Sequence, residues 1–175
     1  MSSDRPPWPD DYHLTLRTYG TWLPGDDRGW RRHGDSGPAR PPSPALRAWC
    51  ERAMVAPPLY LTAQQRRVVE AAVRETCAHR GYTIHALAVQ RSHVHVVVRA
   101  TRAPEVVMAD LKRWATRALR RDGLPRAQPV WAEHASTRYL LSPHRRGRAE
   151  RYAGDDHHRP APRVRSHATT RAPRT

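Results

Sequence analysis

The chain contains no phenylalanine and only one lysine, Lys112, in 175 residues. Its two cysteines, Cys50 and Cys77, are too few for a disulfide framework, which makes a reducing cytoplasm the expected compartment. No apolar run approaches the roughly 20 residues that span a bilayer. Residues 1–11 are polar and proline-rich where a secretory signal would carry an apolar stretch. These absences argue against a membrane protein, a disulfide-stapled scaffold and, at this length, a large multidomain enzyme.

Arginine is abundant instead. Lys and Arg total 31 against 16 Asp and Glu, a formal charge of +15. Such an excess favours a polyanionic partner, with nucleic acid ahead of an anionic membrane surface. A DNA partner would set the protein in the cytoplasm at the nucleoid. Hydrophobic residues make up 38%, enough for one small core, while 17 prolines predict much irregular chain.

Residues 12–19 alternate and are rich in strand formers. Gly20 and Pro24-Gly25 break that pattern, and a proline-rich insertion follows over about 33–58, with room for a short helix at 45–54. Thr62 and Gln65 have capping-box spacing, and Val68, Val69, Ala72, Val73, Thr76 and Cys77 share one helical face up to Gly81. Residues 82–89 and 92–99 read as a hairpin turning near Gln90-Arg91. Pro104 suits the first turn of a second helix that buries Val107, Leu111, Trp114, Ala115 and Ala118 and stops at Gly123. Val130-Trp131 and residues 137–141 read as a final short strand or hairpin. The order β-α-β-β-α-β predicts an α+β, ferredoxin-like sandwich: one antiparallel sheet with the helices on one face.

Residues 142–175 differ. They hold no Leu, Ile, Met or Trp, a single Val, and nine Arg against three acids. The expectation is a disordered basic tail after a domain at 12–141, with residues 1–11 as a disordered N-terminal arm.

His93-Val94-His95 carries the chemistry. A strand has period two, so both imidazoles share one face and Val94, Val96 and Val98 point to the other, where the helices should lie. Two imidazoles are too few for a structural zinc site, which takes four ligands. They suit a metal that also contacts substrate oxygens, such as those of a phosphate. The plain alternative is a pair of histidines on a half-exposed strand.

The motif, followed by Val96-Val97-Val98, resembles the histidine-hydrophobic-histidine strand of the HUH endonucleases. Leu14 to Arg28, with Arg17-Thr18-Tyr19-Gly20-Thr21-Trp22-Leu23-Pro24-Gly25-Asp26, resembles the opening strand and loop of REP-associated single-tyrosine transposases. So do the Pro104-Glu105-Val106-Val107-Met108 helix start with Leu111-Lys112, Val130-Trp131, and Ser136-Thr137-Arg138-Tyr139-Leu140. The resemblance covers about residues 12–141. It implies an enzyme that cuts single-stranded or hairpin DNA. His93 and His95 would hold Mg²⁺ or Mn²⁺, and a tyrosine would form a 5′-phosphotyrosine. Tyr152 is the tyrosine that follows the Tyr139 segment, and Asp156, four residues on, stands where the family often has a metal-binding Gln. A homodimer is common among compact members.

The tail departs from the family at this point. Its loss of aliphatic residues is what a shifted reading frame in GC-rich DNA would encode, as the 30:1 ratio of Arg to Lys also suggests. A catalytically inactive remnant that only binds DNA is therefore the alternative.

Candidate phosphate contacts are Arg17, Arg28, Arg31, Arg32, Lys112, Arg113, Arg117, Arg120 and Arg121. The last four recur at helical spacing as one basic stripe. Trp22 and Trp30 are candidates to stack on unpaired bases, and Trp114 and Trp131 to pack. An RNA-recognition module ranks last, because His93 to Val98 offers no aromatic residue.

Overall fold

The computed structural model describes residues 11–31, 37–133, 136–140, 147 and 149–151. Four strands, β1 (Asp11–Arg17), β2 (Thr83–Val89), β3 (His93–Arg99) and β4 (Ser136–Tyr139), form one sheet in the order β2-β3-β1-β4. Every pairing is antiparallel. Helices α1 (Pro44–Ala53), α2 (Ala63–Arg80) and α3 (Pro104–Arg121) complete the order. Without α1, which sits in the proline-rich insertion, this is the predicted β-α-β-β-α-β sandwich. Asp11, expected in the N-terminal arm, opens β1.

The layers follow from the alternation. Tyr12, Leu14 and Leu16 of β1 and Val94, Val96 and Val98 of β3 are fully buried on one face. They pack against Val69, Val73 and Cys77 of α2 and Val107, Leu111, Ala115 and Leu119 of α3. Each such side chain contributes about 1.5–3 kcal/mol on leaving water. Burial also pushes the Cys77 thiol up to about 11.

Local signals set the ends. The Thr62–Gln65 capping box is present, and Gly81 closes α2 with φ +69°, a left-handed conformation that favours glycine. Pro104 opens α3. Helix α1 buries none of its residues. It is held at the loop by Gly25, where an added Cβ would meet the Arg47 backbone nitrogen at 2.7 Å. Trp131 forms an isolated bridge with Thr18, the residue after β1, and packs on the core. Trp114, expected to pack, stays outside the core cluster, with the Arg117 guanidinium 5.4 Å from its ring centre. At Gly147 and Ala149–Arg151 the chain is helical, where the sequence shows no helical period. Ala149 is buried against Val97, Leu140 and Ala86. Among the described residues no helix is long and apolar enough to cross a membrane.

Candidate metal and nucleic-acid site

Strand β1 lies beside β3 with Arg17 opposite His93, Thr15 opposite His95 and His13 opposite Val97. Opposed residues share a face, so these six side chains leave the sheet on the side away from α2 and α3. Arg138 of β4 lies opposite His13 and joins them.

The histidines are tied together. His93 and His95 stand edge to face with ring centres 4.7 Å apart. His95 Nδ1 is 3.0 Å from Thr15 Oγ1 and 3.2 Å from His13 Nε2. His93 Nδ1 is 3.0 Å from Ser92 Oγ. The residue before the motif is itself fixed. The Ser92 carbonyl accepts from Thr18 N at 2.9 Å, Thr18 Oγ1 at 3.0 Å and Thr21 Oγ1 at 3.3 Å. The buried threonines of the opening loop thus set where β3 begins.

Burial and nearby arginines favour the neutral form of two of the rings, His93 and His13. Burial, then the charges of Arg17 and Arg28, lower His93 to about 4. Burial and Arg138 lower His13 as well. Neutral imidazoles keep a lone pair for a cation, and the arginines around them favour an anion alongside it. His93 and His95 therefore fit a divalent metal in donor chemistry. Among the described residues, however, no group of three or more His, Cys, Asp or Glu is placed to hold one. Two protein ligands leave room for substrate oxygens or a further side chain. Tyr152 and Asp156 lie outside the described residues, as does Arg32.

The expected DNA contacts divide. Arg17 stands on the histidine face, its guanidinium 3.9 Å from the Trp22 ring centre. Arg28 is committed to Asp26, with contacts of 2.6 and 2.7 Å, and to the Thr21 carbonyl at 2.9 Å. Burial would raise the Asp26 carboxyl, but these bonds hold it below its usual range. Arg31 donates to the Gly37 carbonyl.

Trp22 is not an open stacking platform. Arg28 also lies over its ring, at 4.6 Å, and its Nε1 donates to the Gly29 carbonyl at 2.8 Å, so a base would compete with two guanidiniums. Trp30 is buried and donates to the Pro41 carbonyl at 2.9 Å, which removes it as a stacking residue.

Two of the basic residues of α3 have partners within the fold. Arg120 is turned into the following loop, where it donates to the carbonyls of Leu124, Pro125 and Gln128. Lys112 is half-buried, with Nζ donating to the Ala132 carbonyl at 2.9 Å, and burial lowers its pKa. Arg113, Arg117 and Arg121 are exposed, and Arg113 lies 3.5 Å from the buried Asp110. The core-facing side of α3 packs on the opposite side of the sheet from His93. A phosphate at the histidines cannot also touch these three arginines.

Three contributors escaped the sequence reading: His13, Thr15 and Ser92. The alternation of residues 12–17 already put His13, Thr15 and Arg17 on one face. What was missing was the β1–β3 register that sets this face beside the histidines.

No protein-family model and no curated protein sequence matches the chain. Solved structures do. One is a REP-associated tyrosine transposase bound to a REP hairpin, with 13% identity over 87% of this chain and 70% of that one, at a TM-score of 0.50. Another, from Deinococcus radiodurans R1 and described provisionally as a transposase, gives 16% identity over 84% and 90%, at a TM-score of 0.48. At such identity the likeness is one of fold: this chain has the α+β fold of the REP-associated tyrosine transposase.

Proposed function

We propose that the protein is a single-tyrosine transposase-like DNA-binding protein that receives single-stranded or hairpin DNA at the histidine face of its sheet. The observation that carries this reading is the cluster of His13, His93 and His95 with Arg17 on that face. Imidazoles, which can ligate a metal, beside an arginine suit a phosphodiester and a cation bound together. The shared fold supports the choice of DNA, since the REP-associated relative is bound to a REP hairpin.

His93 and His95 would hold Mg²⁺ or Mn²⁺, which when bound would polarise the scissile phosphate as a Lewis acid, with Asp156 as a further ligand. Ser92 and Thr15 orient the two rings through their Nδ1 atoms. Arg17 binds the phosphate. The Tyr152 hydroxyl attacks phosphorus, giving a 5′-phosphotyrosine and a free 3′-OH. One feature supports that nucleophile: Ala149 is seated on Val97, two residues along the same strand face from His95. Three residues of chain span at most about 10 Å, and two strand residues cover roughly 7 Å.

A second reading, a remnant that binds DNA without cutting it, is favoured by the composition of residues 142–175. The test is incubation of labelled hairpin DNA with Mn²⁺ or EDTA. Wild type, His93→Ala and Tyr152→Phe would be compared. Metal-dependent cleavage with a covalent protein–DNA adduct, lost in both variants, is the expected result. Binding without cleavage selects the remnant. No binding refutes both readings.

A further inference from the structure

We infer that Tyr60 and Arg91 form a stacking site for one unpaired base of single-stranded DNA, with the Arg91 guanidinium meeting a neighbouring phosphate. That DNA is the ligand rests on the reading above. That a base is held on Tyr60, and not on Trp22 or Trp30, is a separate claim with its own test.

Residues 59–61 run as a strap between two ends of the sheet. Leu59 N donates at 2.9 Å to the carbonyl of Tyr19, two residues beyond β1. Leu61 N donates at 2.7 Å to the carbonyl of Arg91, in the turn before β3. Leu59 and Leu61 are both buried in the core. With its two neighbours turned inward, Tyr60 is left outside and is 48% exposed. The backbone beneath the ring is thus fixed before a ligand arrives, which lowers the ordering cost of binding.

The surroundings suit a base and its phosphate. The Arg91 guanidinium carbon lies 5.6 Å from the Tyr60 ring centre, within the range at which a cation is drawn to an aromatic face. Arg91 is exposed, and among the described residues its guanidinium makes no ion pair. The other aromatic residues compare poorly. Trp22 has two guanidiniums at its ring, and Trp30 is buried. Tyr139 is exposed but stands edge to face with the buried Tyr12, with ring centres 5.9 Å apart. Trp49 is exposed on α1, and among the described residues no cation lies at its ring.

The position ties Tyr60 to the histidines. Arg91 is two residues from His93, at most about 7 Å along the chain. Arg28 is a neighbour of both sites. Its charge, after burial and Arg17, lowers the His93 pKa. Its own pKa is raised chiefly by the Asp26 hydrogen bond, with Tyr60 among the smaller contributors. A strand whose phosphate reaches His93 therefore passes Tyr60 with a nearby nucleotide.

Stacking and phosphate contact separate when the bases are removed and the charges kept. The experiment measures affinity of the full chain, with EDTA present, for a labelled DNA hairpin with single-stranded flanks. The second ligand is the same hairpin with abasic flanks, which keep every phosphate. Wild type should prefer the flanks that carry bases. Tyr60→Ala should weaken binding of that hairpin about tenfold, leave the abasic one unchanged and keep the salt slope. Tyr60→Phe should match wild type on both, because stacking needs the ring and not the hydroxyl. Arg91→Ala should weaken both and reduce the log–log salt slope by about 0.7. Equal losses on the two hairpins in Tyr60→Ala, no loss on either, or a Tyr60→Phe as weak as Tyr60→Ala overturns the stacking site. An unchanged slope in Arg91→Ala overturns the phosphate contact. A wild type that binds both hairpins equally refutes the site and leaves the DNA reading standing. One that binds neither refutes both.

Discussion

His93 is half-buried between a serine hydroxyl and two arginine charges, and its pKa falls from an ordinary 6.5 to about 4. A folded state that binds this proton less readily than the unfolded chain is favoured when the proton is absent. The stability His93 contributes is thus complete above pH 6.5 and falls away as pH drops toward 4. Chemical denaturation with EDTA present should show stability declining through that window in wild type. The His93→Gln variant should show a shallower decline; equal slopes would contradict the assignment. The His93-Val94-His95 motif was legible in the sequence because it depends only on the two-residue strand period. The neighbours that tune it, His13 and Thr15, come from a strand about 80 positions away and become visible only with the register.

Helix α3 shows where spacing misleads. Arg113, Arg117, Arg120 and Arg121 read as one stripe, yet Arg120 ties the helix end to the carbonyls of the following loop. Periodicity gives the direction in which a side chain leaves a helix. It cannot show a loop folding back to accept its hydrogen bonds. Arg120→Ala should cost about 1–2 kcal/mol, whereas Arg117→Ala should stay within about 0.5 kcal/mol. Thermal melts of the two variants compare them directly, and equal melting temperatures would refute the division. Lys112 belongs with Arg120: Nζ on the Ala132 carbonyl and the Trp131 Nε1 on the Lys112 carbonyl at 3.0 Å stitch α3 to the segment beside β1. The helices themselves were readable, because their caps and apolar faces are local. The lone-bridge geometry of Trp131 depends on tertiary pairing and was not.

Across the whole molecule, the sheet separates two basic surfaces. One is the histidine face with Arg17 and Arg138. The other is the outer side of α3 with Arg113, Arg117 and Arg121. A net charge of +15 makes some affinity for any polyanion inevitable, so binding alone does not locate the site. Reversing Arg113, Arg117 and Arg121 to Glu should lower affinity in proportion to salt-sensitive, sequence-independent binding. It should leave any metal-dependent contribution at the histidine face intact. Loss of the metal-dependent part in that triple variant would place DNA on α3 instead. The sandwich was legible from the order of strands and helices. The helical residues Gly147 and Ala149–Arg151 were not, since Gly147 and the surrounding arginines carry no apolar period and the contact of Ala149 with Val97 is tertiary.

The most direct test of the account is a Mn²⁺ titration of the full chain with a single-stranded oligonucleotide present, followed through the broadening of the histidine ring resonances. The account predicts that His93 and His95 broaden first, at Mn²⁺ levels that leave the exposed His79 of α2 sharp. Broadening of His79 at the same Mn²⁺ level, or of His93 and His95 last, would contradict a metal and nucleic-acid site on the histidine face of the sheet.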